Sequence, residues 1–287
     1  MEFNDEKQIV LWDGDNTVWD WMEYAVPAYE AMCEEIARIA GKDTDTTAAA
    51  MKAFYAATGT MENVGLIQGL NATGFFNHVK DFDQTTVITQ VHSVFNQVRE
   101  ANLHVYPGIQ KVMEELRQEG YIQHILTDAP AGQALSRLSH SRLSANIDTV
   151  FAMPDPKVEG IPSSLIESHK KKTSNTKVRI VSHEKPHTNL EDVLELTHKQ
   201  IKRLVTMIGD NKSKDMELAE RYGMRGIHAV YGKSSDEQRR RIERFAPLPV
   251  LNRNMQAKIV SKTPDENSRI KIAFKPEEIK EILKNAA

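Results

Sequence analysis

Cysteine occurs once in the 287 residues of this chain, and no apolar run approaches the length of a membrane span. The single thiol, Cys33, excludes an internal disulfide framework and a cysteine-cluster metal site. It lies in Ala31-Met32-Cys33-Glu34-Glu35-Ile36, a helical pattern, and reads as a buried structural thiol rather than a nucleophile. An excess of basic charge is also missing. Lys and Arg number 37 against 40 Asp and Glu, for a formal net charge of −3, which argues against a nucleic-acid binder. The first seven residues are acidic and lack an apolar core, so the expectation is no secretory signal, no membrane partner and a cytoplasmic location, with a C-terminal export signal outside the reach of this test.

What is present is an α/β pattern. Ile9–Trp12 is an apolar run of strand length. Helical spacing then dominates from Trp19 to about Leu103, with helices expected over 25–40, 46–57 and 85–101 and glycines 59, 65, 69 and 74 between the last two. We read 19–103 as an all-helical module inserted into a core formed by 1–18 and 104–287. From Val105 onward helix and strand alternate: a helix at Ile109–Gln118, a strand at Tyr121–Leu126, a helix at 132–143 and a strand at Thr149–Ala152. A strand at Val178–Val181, a helix over Leu190–Lys202 and strands at Leu204–Ile208 and Gly226–Tyr231 follow, with a closing strand and helix over Ile270–Leu283. This alternation predicts a Rossmann-like parallel sheet built from βαβ units. Residues 154–176 read as a polar loop or small flap, and 246–268 have no functional reading.

Three of the expected strands end in polar residues: Asp13 and Asp15 after the first, Thr127 after Leu126, and Gly209-Asp210 after Ile208. Carboxyl ends of parallel strands share one edge of the sheet, where ligand crevices form. Asp13 and Asp15, one residue apart, share a face in extended backbone. Asp13, Asp15, Asp210 and Asp215 would repel one another unless a cation and a lysine balanced them. Oxygen ligands without His or Cys suit Mg²⁺. Asp13 is then placed as a nucleophile toward phosphorus, and Asp15 as the acid and base for the leaving group and the water. Thr127, Lys185 and Asn211 are candidates to hold the phosphate oxygens, together with backbone N–H groups after Asp13.

These segments resemble the haloacid dehalogenase-like superfamily in order along nearly the whole chain. Asp13-Gly14-Asp15-Asn16-Thr17 is similar to its D-x-D-x-T loop and Leu126-Thr127-Asp128 to its second motif. Lys185-Pro186 is similar to its third, and Gly209-Asp210-Asn211-Lys212-Ser213-Lys214-Asp215 to a G-D-x-x-x-x-D fourth. The resemblance implies Mg²⁺ held by the Asp13 carboxylate, the Asp15 main-chain carbonyl and Asp210, with Asp215 nearby or acting through water. It also implies a mobile helical cap, a phosphatase acting through an aspartyl-phosphate on Asp13, and a small phosphorylated substrate. A phosphomutase, a phosphotyrosine phosphatase acting on protein, and a non-catalytic binding module are the alternatives.

The chain departs from the family pattern at Asp128, where relatives often carry Asn; this residue either caps the following helix or faces substrate. Lys157, after Pro154-Asp155-Pro156, competes with Lys185 for the lysine role, and Lys185 is preferred because it follows a strand and stands 25 positions before Asp210. Trp19 and Trp21 are expected to pack at the entry to the helical module, His183 and Glu184 to sit on an exposed turn, and Phe75, Phe76 and His78 are candidates to contact substrate.

Overall fold

The computed structural model describes residues 7–61, 63–155, 176–247 and 269–285. The polar stretch 156–175, with Lys157 and the lysines at 170–172, and the stretch 248–268 lie outside the described residues. Seven strands form one sheet, β1 (Ile9–Trp12), β2 (Ile122–Pro130), β3 (Thr149–Met153), β4 (Lys177–Ile180), β5 (Val205–Gly209), β6 (Arg225–Ala229) and β7 (Ile270–Ala273). Their order is β4-β3-β2-β1-β5-β6-β7 and every pairing is parallel, so the expected Rossmann-like sheet is present.

β1 lies at the centre because both of its faces are apolar. Val10 and Trp12 belong to one buried cluster, and Ile9 and Leu11 to a second on the other face. Full burial of such a side chain contributes about 1.5–3 kcal/mol, which fixes this strand inside rather than at an edge. The indole N–H of Trp12 is satisfied by Gln123 Oε1 at 3.1 Å, and Gln123 in turn donates to the Met113 carbonyl at 2.8 Å.

Between β1 and β2 stand four helices, α1 (Trp21–Ala40), α2 (Thr44–Thr58), α3 (Leu66–Ala72) and α4 (Gln84–Asn102). α1 starts four residues before the expected boundary because Asp20 caps it, accepting from Glu23 N at 3.1 Å. Its left-handed terminal residue is Gly41, where a glycine carries no Cβ penalty. α2 and α4 begin in the same way at Asp43 and Asp83. The short α3 was hidden among the glycines of its sequence. The segments entering and leaving this module run side by side: Trp19 bridges Val105, Tyr106 N donates to Val18 O at 3.0 Å, and Asp20 N donates to His104 O at 3.1 Å. Trp19 is fully buried at this crossing.

After β2 come α6 (Ala131–Ser141) and, before it, α5 (Ile109–Gln118). The single helix expected over Leu190–Lys202 is two, α7 (Leu190–Leu194) and α8 (His198–Leu204). The break has a local cause: Thr197 and Gln200 form a capping box that starts a new helix, and Glu195 adopts a left-handed φ of 58°. α9 (Glu217–Tyr222), α10 (Asp236–Ile242) and α11 (Glu278–Lys284) complete the fold. α10 belongs in sequence to the part assigned to the core, yet it packs on α1. Arg241 pairs with Glu30 at 2.6 Å, and Phe245 just beyond it stacks on Tyr29 with centroids 6.3 Å apart. No helix among the described residues is long and apolar enough to cross a membrane.

Candidate active site

β1, β2 and β5 deliver their C-terminal residues to one edge of the sheet. Around that edge lies a cavity of about 280 Å³ lined by Asp13, Asp15, Thr127, Lys185, Asp210 and Asn211 from the core and by Trp21, Thr58, Gly59 and Thr60 from the helical module. Residues as far apart in sequence as Asp13 and Asn211 thus meet in one place.

Asp13 continues β1, its N–H donating to Ile208 O at 2.8 Å on β5. Its side chain is contacted by the Lys185 ammonium and, at 3.4 Å, by the Thr17 hydroxyl. Lys185 is 4% exposed and also pairs with Asp215 Oδ1 at 2.6 Å. Burial works against the lysine's charge, but Asp13, Asp215 and Asp128 outweigh it and hold the ammonium well above the ordinary lysine value. Asp215 is fully buried, and its other oxygen accepts from Asn211 N at 3.0 Å. A Cβ at Gly209 would run into the Asp215 carboxylate, which accounts for glycine at the end of β5.

Asp13, Asp210 and Asp215 offer carboxylate oxygens that all lie within 4.8 Å of one another. Burial, with the charges of Asp13 and Asp215, pushes the Asp210 carboxyl well above its ordinary range. Burial likewise drives Asp215 up to about 7, against the pull of Lys185. Three buried carboxylates therefore face one ammonium, leaving two negative charges to be neutralised. A divalent cation with hard oxygen ligands fits that donor set in charge and in ligand chemistry.

The remaining candidates resolve as follows. Thr127 is 3% exposed and lines the cavity, its Oγ1 accepting from Ala129 N at 3.1 Å. Asn211 lines the cavity too, but its side-chain carbonyl accepts from both Ser213 N and Ser213 Oγ at 3.0 Å, capping the turn that carries Asp215. Asp128 caps no helix; it accepts from Lys185 N at 3.0 Å and from Lys214 Nζ at 2.7 Å, tying the loop after β4 to the turn after β5. Trp21 faces the cavity, whereas Trp19 packs beneath Gly14. Glu184 lines the cavity rim and meets Lys214 at 3.3 Å, while His183 is exposed. Phe75, Phe76 and His78 do not line the cavity: Phe76 is buried against Phe82, and the His78 ring is bonded to the Ala40 carbonyl. The residues of the module that reach the site are instead Thr58, Gly59 and Thr60, at the C-terminal end of α2.

The site also draws on side chains that no motif marks. Arg137 of α6 is 2% exposed and donates through Nη1 to Asp15 Oδ2 at 2.7 Å, while Tyr24 of α1 donates to Asp15 Oδ1 at 3.0 Å. The guanidinium lies 5.5 Å from the Tyr24 ring centroid. Its only sequence signal is a charge on the otherwise apolar stripe Ala131, Ala134, Leu135, Leu138. Cys33 is buried and burial pushes its thiol up to about 11, in keeping with a structural role.

A parallel Rossmann-like sheet with carboxylates at its strand ends, and four helices emerging just after the first of them, places a ligand crevice at the carboxyl edge of the sheet. The chain belongs to the haloacid dehalogenase-like hydrolases: that family's model matches residues 10–166, more than half of the chain, and a HAD-hydrolase-like model matches 183–253. No curated protein matches it. Among solved structures the chain is similar to a haloacid dehalogenase-like family hydrolase from Xanthomonas campestris, at 14% identity and a TM-score of 0.54, over 97% of this chain and 95% of that one. It is also similar to a protein assigned as a β-phosphoglucomutase from Thermotoga maritima, at 17% identity and a TM-score of 0.53, over 98% and 100%. A HAD phosphatase from Thermococcus onnurineus shares 16% identity, with a TM-score of 0.51 over 96% and 97%. At these identities the likeness is one of fold.

Proposed function

We propose that this chain is a Mg²⁺-dependent phosphatase that hydrolyses small phosphomonoesters through an aspartyl-phosphate on Asp13. The observation that carries the reading is the meeting of Asp13, Asp210, Lys185 and Thr127 in one cavity beside Asp15, with the buried Asp215 carboxylate behind them on Lys185.

Asp13 attacks phosphorus in line, forming the acyl phosphate as the bond to the ester oxygen breaks. Asp15 gives that oxygen its proton and then takes one from the water that cleaves the aspartyl-phosphate, regenerating Asp13 and releasing phosphate. Lys185 and Thr127 hold the phosphoryl oxygens. Bound Mg²⁺ would neutralise charge on the transferred group, held by Asp13, Asp210 and the Asp15 main-chain carbonyl, with Asp215 beside them. Asp15 also favours phosphoester over carbon–halogen cleavage, because only the former needs a proton delivered to a leaving oxygen. Trp21, Thr58, Gly59 and Thr60 line the cavity from the helical side, where they would meet the leaving group, and a volume of about 280 Å³ suits a small metabolite better than a protein side chain on its backbone.

Phosphate release from p-nitrophenyl phosphate with Mg²⁺ and with EDTA tests this. Metal-dependent turnover abolished in Asp13→Asn supports it, and activity surviving that substitution sinks it. A panel of phosphorylated metabolites and phosphotyrosine peptides then separates substrate classes, and isomerisation of a sugar phosphate without phosphate release would mark a mutase instead.

A further inference from the structure

Trp21 belongs to the walls of two spaces. It lines the cavity around Asp13 and also a smaller chamber of about 130 Å³, walled by α1 to α4 and by α6 of the core. Thr60 and Met61, neighbours in sequence, divide between them, Thr60 lining the first and Met61 the second. Tyr24 and Arg137, which hold the two carboxylate oxygens of Asp15, are part of the chamber wall as well. The residue assigned to protonate the leaving oxygen thus sits at the partition between the two spaces.

Rings and thioethers dominate the chamber wall: Trp21, Tyr29, Tyr55 and Phe95, with Met32 and Met61. Tyr29 meets Tyr55 and Phe95 edge-on, with centroids 5.9 and 5.2 Å away, and its hydroxyl donates to the Met61 carbonyl at 2.5 Å. Contacts among the lining residues themselves fix these rings, so the chamber is pre-formed. Its polar members are engaged with protein groups. Arg137 Nη2 donates to Gln133 Oε1 at 3.0 Å, Arg99 Nη2 to Ser136 Oγ at 3.0 Å, and Asn63 Oδ1 accepts from Gly65 N at 2.8 Å. Burial holds the His92 ring below its ordinary value, so it is uncharged at neutral pH.

Size narrows the guest further. Protein interiors leave few spaces larger than a water molecule, and an apolar cavity of about 150 Å³ takes up benzene. A chamber of about 130 Å³ therefore has room for one six-membered ring. An aromatic ring gains there twice, by leaving water and by edge-to-face contact with the rings already in place. A sugar of the same size would set several hydroxyls against hydrocarbon, and each unpaired one subtracts from binding.

We propose that the leaving group extends past Trp21 into this chamber, and that the substrate is a phosphomonoester of an alcohol bearing one aromatic ring or a flat apolar body of that size. The phosphoryl group then stays over Asp13 and the ester oxygen beside Asp15. The chemistry rests on the phosphatase reading, whereas the chamber's preference for a ring is a separate property.

Benzyl phosphate and ethyl phosphate test it with the full chain and Mg²⁺, because their alcohols are similar leaving groups that differ in the ring. kcat/KM should favour benzyl phosphate by about 10²-fold or more. Ala25→Leu, at a buried position of the chamber wall on α1, should cut that ratio by about tenfold or more. Met32→Ala makes the opposite change and should raise kcat/KM for 1-naphthylmethyl phosphate relative to benzyl phosphate severalfold. It decides alone if circular dichroism shows Ala25→Leu unfolded. Calorimetry with benzylphosphonate and ethylphosphonate, which have no ester bond to cleave, reads the chamber without catalysis. The benzyl compound should bind about tenfold more tightly or better. Tighter binding of benzylphosphonate with no hydrolysis of either ester would overturn the phosphatase reading and support the chamber. Equal binding of the two phosphonates, equal kcat/KM for the two esters, or ratios unchanged in both variants overturns the chamber.

Discussion

Arg137 and Asp15 lie 122 residues apart in sequence and 2.7 Å apart in the fold, guanidinium to carboxylate. The arginine rises from a core helix, while the Tyr24 hydroxyl on the same carboxylate, at 3.0 Å, comes from the first helix of the inserted module. Asp15 is thus oriented by both parts of the protein at their junction. If Asp15 moves the proton of the leaving group, Arg137→Met should reduce kcat on alkyl phosphates by about 10²-fold or more, near the usual worth of general acid catalysis. The loss on p-nitrophenyl phosphate, whose leaving group needs no proton, should be much smaller. Equal losses on both substrates would remove Arg137 from this role.

Metal-free stability should depend on pH through the carboxylate cluster. Asp215 rises from 3.8 in the unfolded chain to about 7 in the fold. A group whose folded value is raised contributes fully below its unfolded value and loses that contribution as pH climbs through the folded one. In EDTA, the wild-type melting temperature should therefore fall between about pH 4 and pH 7 relative to Asp215→Asn. Adding Mg²⁺ should restore stability at the upper end in the wild type. Parallel melting curves of the two proteins across that window would refute this.

Asp128 places a carboxylate 2.7 Å from Lys214 at the cavity rim. Burial pushes its carboxyl up, but Lys185 and Lys214 overcome that and hold it below the usual range, so it is charged at neutral pH. Asp128→Asn keeps an acceptor for Lys185 N–H and leaves the Lys214 charge to a phosphate ligand. KM for a phosphomonoester should fall severalfold with little change in kcat; a rise in KM would mean that Lys214 serves another purpose.

Gly209 has no room for a side chain. Gly209→Ala would drive a methyl group into the Asp215 carboxylate, at a cost of about 1–3 kcal/mol for overpacking. Because Asp215 is displaced, Mg²⁺ affinity should fall together with the melting temperature. A stable variant with unchanged metal affinity would contradict the packing.

The strands and their polar ends were legible in the sequence because period and termination are local properties. An apolar run that stops at Asp13, Thr127 or Asp210 announces both a buried strand and the edge where it emerges, and parallel βαβ order puts those edges together. The helices of the inserted module were legible for the same reason, apart from α3 and the break at Thr197. What the chain could not announce is which face of a helix turns toward a site formed by distant strands. Arg137, Tyr24 and Trp21 look like members of amphipathic stripes, and Thr58 to Thr60 like a helix terminus. The tertiary packing of α1, α2 and α6 brings Trp21 and Thr58 to Thr60 to the cavity and Arg137 and Tyr24 onto the Asp15 carboxylate, and it assigns Asp128 to two lysines rather than to a helix cap. The sequence by itself determined the strand ends and the chemistry they carry. Tertiary packing alone decided which side chains surround that chemistry, because helix rotation is set by the sum of many buried contacts rather than by any local run of residues.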